Sequence, residues 1–181
     1  MRRLALLLAL VVLDLAACKH KPSSSAAGAD VKVTGAPAAR NLVELSVVKM
    51  GDPAAEPQLV RGFYGVESGT WRWTASKFAV KLRPPEGSAQ TGATLQLQFS
   101  LPDVIVNKVG PVTLSAIVNG TALASQTYSK SGEYLYSAAV PGAALSAATV
   151  TAEFTTNKAM PPANGDQREL ALVAVSVGLS K

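Results

Sequence analysis

The sequence predicts an all-β domain, an antiparallel β-sandwich of jelly-roll type with about eight to nine strands. Three observations carry this. Apolar and polar residues alternate over short runs, Gly and Pro break those runs at short intervals, and almost no stretch shows the 3.6-residue period of an amphipathic helix. Successive side chains of a strand point to opposite faces, so alternation marks a strand with one face in a core and the other in water. Many such strands without helices to cover them must bury their apolar faces against one another, which is a sandwich.

Taken in order, strands are expected at about 42–49, 59–66 and 71–83. The clearest alternation follows: Leu95, Leu97, Phe99 and Leu101 interleave with Thr94, Gln96, Gln98 and Ser100, and Pro102-Asp103 ends the run. Val112, Leu114, Ala116 and Val118 alternate up to Asn119-Gly120. That pair is the strongest two-residue hairpin signal, because both residues tolerate positive φ, so residues 122–128 return antiparallel. Strands at 133–140 and 148–155 come next. The alanines at 138, 139, 143, 144, 147 and 148 favour helix, but Pro141-Gly142 interrupts them and Thr149-Val150-Thr151 restores strand chemistry, leaving room for one short turn. The last strand, 170–179, is apolar on both faces and is expected at the centre of a sheet.

Domain organisation follows from the first 40 residues. Arg2 and Arg3 precede the apolar run Leu4–Leu13, and the segment closes on Leu15-Ala16-Ala17-Cys18. The 14 residues from Leu4 to Ala17 include Asp14 and fall short of the roughly 20 needed to span a bilayer, so 1–17 reads as a signal peptide. Leu15-Ala16-Ala17-Cys18 resembles the lipobox of bacterial lipoproteins. That resemblance implies lipidation of Cys18, the only cysteine, and attachment to a membrane without crossing it. Lys19, where Asp would mark inner-membrane retention, points to the outer membrane of the cell envelope. Residues 18–40, rich in Ser, Ala, Gly and Pro, read as a flexible tether, and 41–181 as one β-sandwich domain.

Charge excludes one class of partner. The formal charge of +5 becomes +4 once Arg2, Arg3 and Asp14 leave with the signal peptide. The basic residues are scattered, with no run longer than Lys19-His20-Lys21, so nucleic acid is not an expected partner. That cluster sits beside Cys18, where each charge on an anionic bilayer is worth about 1 kcal/mol.

Catalytic chemistry is restricted too. The single His20 and single Cys18 both precede residue 41, which excludes Ser-His-Asp and Cys-His catalysis and the usual zinc sites within the domain. No cofactor or metal is expected. Carboxylate catalysis of glycoside hydrolysis would fall to Glu67 with Asp166. Asn164, Asp166 and Glu169 could offer oxygens to calcium, but their spacing is not that of a calcium loop, and Asn164-Gly165 with Asp166 reads better as a turn.

The passage GFYGVESGTWRWT, Gly62–Thr74, holds four of the ten aromatic residues with Glu67 and Arg72. Trp71 and Trp73 fall on one face of a strand, Arg72 and Thr74 on the other. The favoured assignment puts the indoles in the core, with Arg72 exposed or forked onto Glu67 or Asp166. The alternative turns the indoles outward, where Tyr64, Glu67, Trp71 and Arg72 form a surface for sugar rings.

Gly62-Phe63-Tyr64 with Glu67, then Trp71-Arg72-Trp73-Thr74, then Asp166 with Arg168-Glu169-Leu170, resembles a jelly-roll, carbohydrate-binding-like domain found beside bacterial glycan-handling enzymes, over about residues 60–180. That domain often carries GW-x-x-x-E, RWT and Asp-x-Arg-x-Leu motifs. Here Phe63 stands where Trp is common, and Ala171 follows Leu170 where Gly is commoner. The resemblance implies that the first and last motif segments lie together, placing Arg72 near Glu67 or Asp166, with Arg168 in the same ion-pair group. The expectation is a non-enzymatic envelope lipoprotein whose sandwich binds envelope polysaccharide. The runner-up is an assembly lipoprotein that binds another envelope protein through an edge strand or the loops at 103–110 and 157–165. An enzyme stands third.

Overall fold

The computed structural model describes residues 44–181. The signal peptide at 1–17, Cys18 and its lipidation, the tether at 18–40 and residues 42–43 of the first expected strand lie outside the described residues.

Ten strands form one antiparallel sheet that curls on itself: β1 (Val47–Lys49), β2 (Leu59–Glu67), β3 (Trp71–Leu82), β4 (Ala93–Leu101), β5 (Val112–Val118), β6 (Thr121–Ala122), β7 (Gln126–Tyr128), β8 (Gly132–Val140), β9 (Val150–Thr156) and β10 (Val173–Ser180). The order is β6-β5-β9-β3-β10-β4-β8, with β1 added to β10, β2 to β3 and β7 to β5. The long strand β3 joins the two halves. Its first residues pair with β10, Trp73 opposite Val173 and Arg72 opposite Ala174, while Lys77–Leu82 pair with β9. One half is therefore β1-β10-β4-β8 and the other β2-β3-β9-β5 with β6 and β7.

The halves face each other across one core. Phe78 stacks on Phe154 within one half, centroids 5.0 Å apart, and Tyr136 of β8 meets Phe154 edge-on at 6.2 Å from the other. Tyr136, Phe78, Phe99 and Phe154 are all fully buried. The alternation expected from sequence is followed closely in β4 and β5, whose even burial pattern sends Leu95, Leu97, Phe99 and Leu101 inward with Leu114, Ala116 and Val118. Asn119 and Gly120 take positive φ in a two-residue turn between Val118 and Thr121. The return strand is split in two around residues 123–125, whose Ala124 carbonyl accepts from the Tyr136 hydroxyl at 2.7 Å. β10 lies between β3 and β4 as its two apolar faces require.

Three short helical pieces were not anticipated. Residues 103–110, expected as a loop, contain α2 (Asp103–Val109), a helix started by Pro102 with Asp103 in its first turn and stopped at Gly110. A 3-10 turn occupies Pro53–Gln58, with the Asp52 carboxylate accepting from the Ala54 N–H at 2.8 Å, and α1 covers only Ser88–Thr91. Each is too short to show a helical period. The alanine-rich stretch makes the one turn allowed for it, Gly142–Leu145.

Gln58 at the end of that 3-10 turn is buried and fastens the chain before β1 to the sandwich. Its carbonyl accepts from Leu45 N–H at 2.9 Å, and its amide donates to Leu45 O at 3.1 Å and Lys81 O at 2.7 Å. A buried amide with every group matched stabilises by holding backbone polar groups that would otherwise be orphaned.

Burial pushes the Tyr128 phenol up to about 12, with Tyr136 and Tyr134 adding to the rise, and burial also raises Tyr136. The folded state then holds protons that the unfolded chain releases near pH 10. Stability should accordingly be full below about pH 10 and fall as pH rises towards 12. Urea unfolding across that range, with phenolate absorbance read in parallel, should show two tyrosines ionising only as the fold is lost.

Candidate functional site

The site is built around the start of β3, and its geometry turns on which face is inside. Arg72 and Thr74 are buried, at 7% and 0% exposure, whereas Trp71 and Trp73 are half-buried on the outward face. The favoured sequence assignment, indoles in the core and Arg72 in a supporting ion pair, holds for the ion pair but not for the faces: Arg72 lies on the core side and the indoles are only partly buried. The physical reason is the set of partners waiting inside for a guanidinium. Arg72 Nε donates to Met50 O at 2.9 Å, one terminal nitrogen to Tyr64 O at 3.1 Å, and the other to Glu56 Oε2 at 2.6 Å. Arg72 thus pairs with Glu56 rather than with Glu67 or Asp166, and it is too deep to touch a surface ligand.

The outward face keeps the aromatic pair. Trp71 and Trp73 meet edge to face with centroids 6.5 Å apart, and Glu67 lies opposite Trp71 across the β2–β3 ladder. Trp73 also leans on the edge of the core.

The two motif segments named by the sequence do lie together, but Arg168 is the arginine that joins them. Its guanidinium forks onto Asp166, with Nε 3.0 Å from Oδ1 and a terminal nitrogen 2.8 Å from Oδ2, and its other terminal nitrogen reaches Glu67 Oε1 at 2.9 Å. Asp166 Oδ1 also accepts the Arg168 backbone N–H at 2.9 Å. These hydrogen bonds from Arg168 hold the Asp166 carboxyl below its ordinary value, and the same bonds donated to Asp166 and then to Glu67 raise the guanidinium above its own. Two carboxylates bound to one arginine do not face each other across a groove, and Asp166 is kept ionised rather than poised to give a proton. Glu67 and Asp166 therefore do not have the arrangement of a glycosidase pair.

Tyr64 organises the same corner. Gly62 takes a φ of +74°, and a Cβ there would come within 2.1 Å of Lys77 O, so the chain at this irregular point of the β2–β3 ladder requires glycine. The two residues that follow are partly buried: Phe63 packs edge-on against Phe78 at 5.4 Å, and Tyr64 donates its hydroxyl to Glu169 O at 2.8 Å. The Arg168 guanidinium carbon lies 5.4 Å from the Tyr64 ring centroid, within cation–π range. Glu169 in turn accepts from Ser76 N–H at 3.0 Å and Ser76 Oγ at 2.9 Å. Tyr64 is a positioning residue, with one ring face covered and its hydroxyl engaged.

The Asn164-Gly165 segment makes the turn its sequence favours, with Ala163 and Asp166 exchanging two backbone hydrogen bonds of 3.0 Å. Among the described residues no group of three or more His, Cys, Asp or Glu side chains is placed to hold a metal ion. No helix among them is long and apolar enough to cross a membrane. Sequence reasoning missed Glu56 as the partner of Arg72, since only the fold brings the 3-10 turn beneath β3. It also missed Lys49, Gln98 and Ser176, which lie in one row across β1, β10 and β4.

Arg72→Ala should destabilise the fold by about 2 kcal/mol, because the buried Met50 carbonyl loses its donor at about 1–3 kcal/mol and the part-buried Tyr64 carbonyl loses one at a smaller cost. Glu56→Gln should cost less than about 1 kcal/mol, since that carboxylate is 65% exposed. Urea unfolding of both variants measures the difference.

No known sequence family matches the chain, and no curated protein does. Solved structures similar to it in fold include the family 35 carbohydrate binding module from Clostridium thermocellum, at 12% identity and a TM-score of 0.45, covering 75% of this chain and 98% of that one. Another is the CBM36-1 domain of a multidomain xylanase from the hindgut metagenome of Trinervitermes trinervoides, at 13% identity and a TM-score of 0.36, covering 73% and 94%. A third is carbohydrate-binding module CBM36 in complex with calcium and xylotriose, at 8% identity and a TM-score of 0.38, covering 75% and 100%.

Proposed function

We propose that this chain is a non-catalytic, carbohydrate-binding β-sandwich displayed from a bacterial envelope membrane by a lipid on Cys18. The observation that carries the binding reading is the outward, half-buried pair Trp71 and Trp73 beside Glu67 and Arg168. Indole faces suit the C–H faces of sugar rings, while a carboxylate and a guanidinium already fixed by each other present oriented acceptors and donors to hydroxyls. Fixing these groups in advance keeps the entropic cost of binding low. The roles divide accordingly: Trp71 stacks with Trp73 edge-on against it, Glu67 and Arg168 hydrogen-bond, and Tyr64, Asp166 and Glu169 hold them in place.

The anchor reading rests on Leu15-Ala16-Ala17-Cys18 following a short apolar segment, and on Lys19 for the outer membrane rather than the inner. The ligand would then be an envelope polysaccharide within reach of the membrane surface.

Polysaccharide pull-down and a glycan array test the binding reading. The wild-type domain should be retained, and Trp71→Ala should weaken retention about tenfold or more, about 1.4 kcal/mol, while the fold persists. No retention on any glycan, with a specific protein partner captured by cross-linking instead, would overturn it. Labelled palmitate should enter the full chain and be lost in Cys18→Ala; an unlabelled, soluble product would refute the anchor.

A further inference from the structure

An open cavity of about 320 Å³ lies at the β2–β3 turn, lined by Lys49, Asp52, Thr70, Gln98, Val175 and Ser176, with Thr70 the residue before Trp71. Its position follows from strand register. Trp73 pairs with Val173 and Arg72 with Ala174, and the ladder breaks at Val175, whose carbonyl accepts from Met50 N–H at 2.9 Å, so the cavity opens where β3 gives way to the segment after β1. Lys49, Ser176 and Gln98 are direct cross-strand partners and form its floor. One wall is backbone meeting backbone: a Cβ on Gly51 would come within 2.1 Å of Gly69 O, so the segment after β1 lies directly against the β2–β3 turn.

The polar groups are unspent. The Ser176 hydroxyl makes a long 3.5 Å bond to Gln98 Oε1, which leaves the Gln98 amide N–H groups for a ligand. Asp52 uses one oxygen on Ala54 N–H and keeps the other, and Lys49 makes no salt bridge among the described residues. A cation in the cavity would meet Lys49 and an anion would meet Asp52. The lining is mostly apolar with a few neighbouring donors and acceptors, which matches a sugar ring's C–H faces and its hydroxyls, each of which both gives and takes a hydrogen bond. The volume, at the small end for ligand pockets, suits one sugar ring.

Resting on the carbohydrate reading, we propose that this cavity is a second subsite that takes a neutral sugar ring, one unit along the chain from the ring stacked on Trp71. The ligand is therefore an uncharged glycan of at least two linked sugars.

The test uses soluble mono- and disaccharides cut from whichever polysaccharide the domain retains, titrated by NMR on the indole N–H signals of Trp71 and Trp73. The disaccharide should bind roughly tenfold or more tighter than the monosaccharide, about 1.4 kcal/mol. Gln98→Ala and, separately, Ser176→Trp, which fills the cavity, should remove that gain and leave monosaccharide binding in place, whereas Trp71→Ala should lose both. Affinity should change less than about twofold with added salt, because the ligand is uncharged. Equal affinity for one and two sugars, unchanged by the two cavity variants, would overturn the subsite while leaving the carbohydrate reading intact. Binding confined to acidic polysaccharides with steep salt dependence would overturn the neutral ligand. Retention of no glycan at all would remove the carbohydrate reading and the subsite with it.

Discussion

The rest of the site depends on the inward turn of Arg72. Strand geometry fixes Trp71 and Trp73 on the face opposite Arg72, so whatever decides the arginine decides the indoles. Arg72 meets two main-chain carbonyls and a carboxylate from three separate segments, the end of β1, the 3-10 turn and β2. A slip of one residue would bury both indoles but strand those carbonyls and move the charge into water. The protein keeps the polar residue inside and leaves part of the larger apolar surface outside. An outward indole pair held this way is rigid, because the strand that bears it is fixed from beneath.

A second arginine does the corresponding work on the surface. Arg168 links the end of β2 to the segment preceding β10 through Glu67, Asp166 and the Tyr64 ring. Exposed ion pairs contribute little to stability singly, but one guanidinium gripping two carboxylates fixes the direction of all three groups. Arg72 below and Arg168 above thus hold the same stretch of β2 in register with β3, where Gly62 bends the strand.

The strands were legible because alternation in β4 and β5 and the Asn119-Gly120 turn are local signals. Half of the site was legible for the same reason: alternation separates Trp71 and Trp73 from Arg72, and the motifs bring Glu67 and Asp166 together. Which face is core was not, since the partners of Arg72 lie 8, 16 and 22 residues away in sequence and only the folded chain brings them beneath it. Both assignments satisfied alternation, and the burial usual for tryptophan favoured the wrong one. The helix Asp103–Val109 was missed because Pro102-Asp103 serves equally as a strand stop and a helix start, and seven residues carry too little periodicity to choose.

Trp71 and Trp73 are the only tryptophans in the chain, so its indole fluorescence reports this face and nothing else. Acrylamide quenching of the folded domain, with and without a retained polysaccharide, tests the central claim most directly. An outward indole pair that stacks on sugar predicts ready quenching in the free domain and clear protection when the glycan is bound. Emission shielded from acrylamide in the free, folded domain would mean that the indoles are core after all, and would contradict the account.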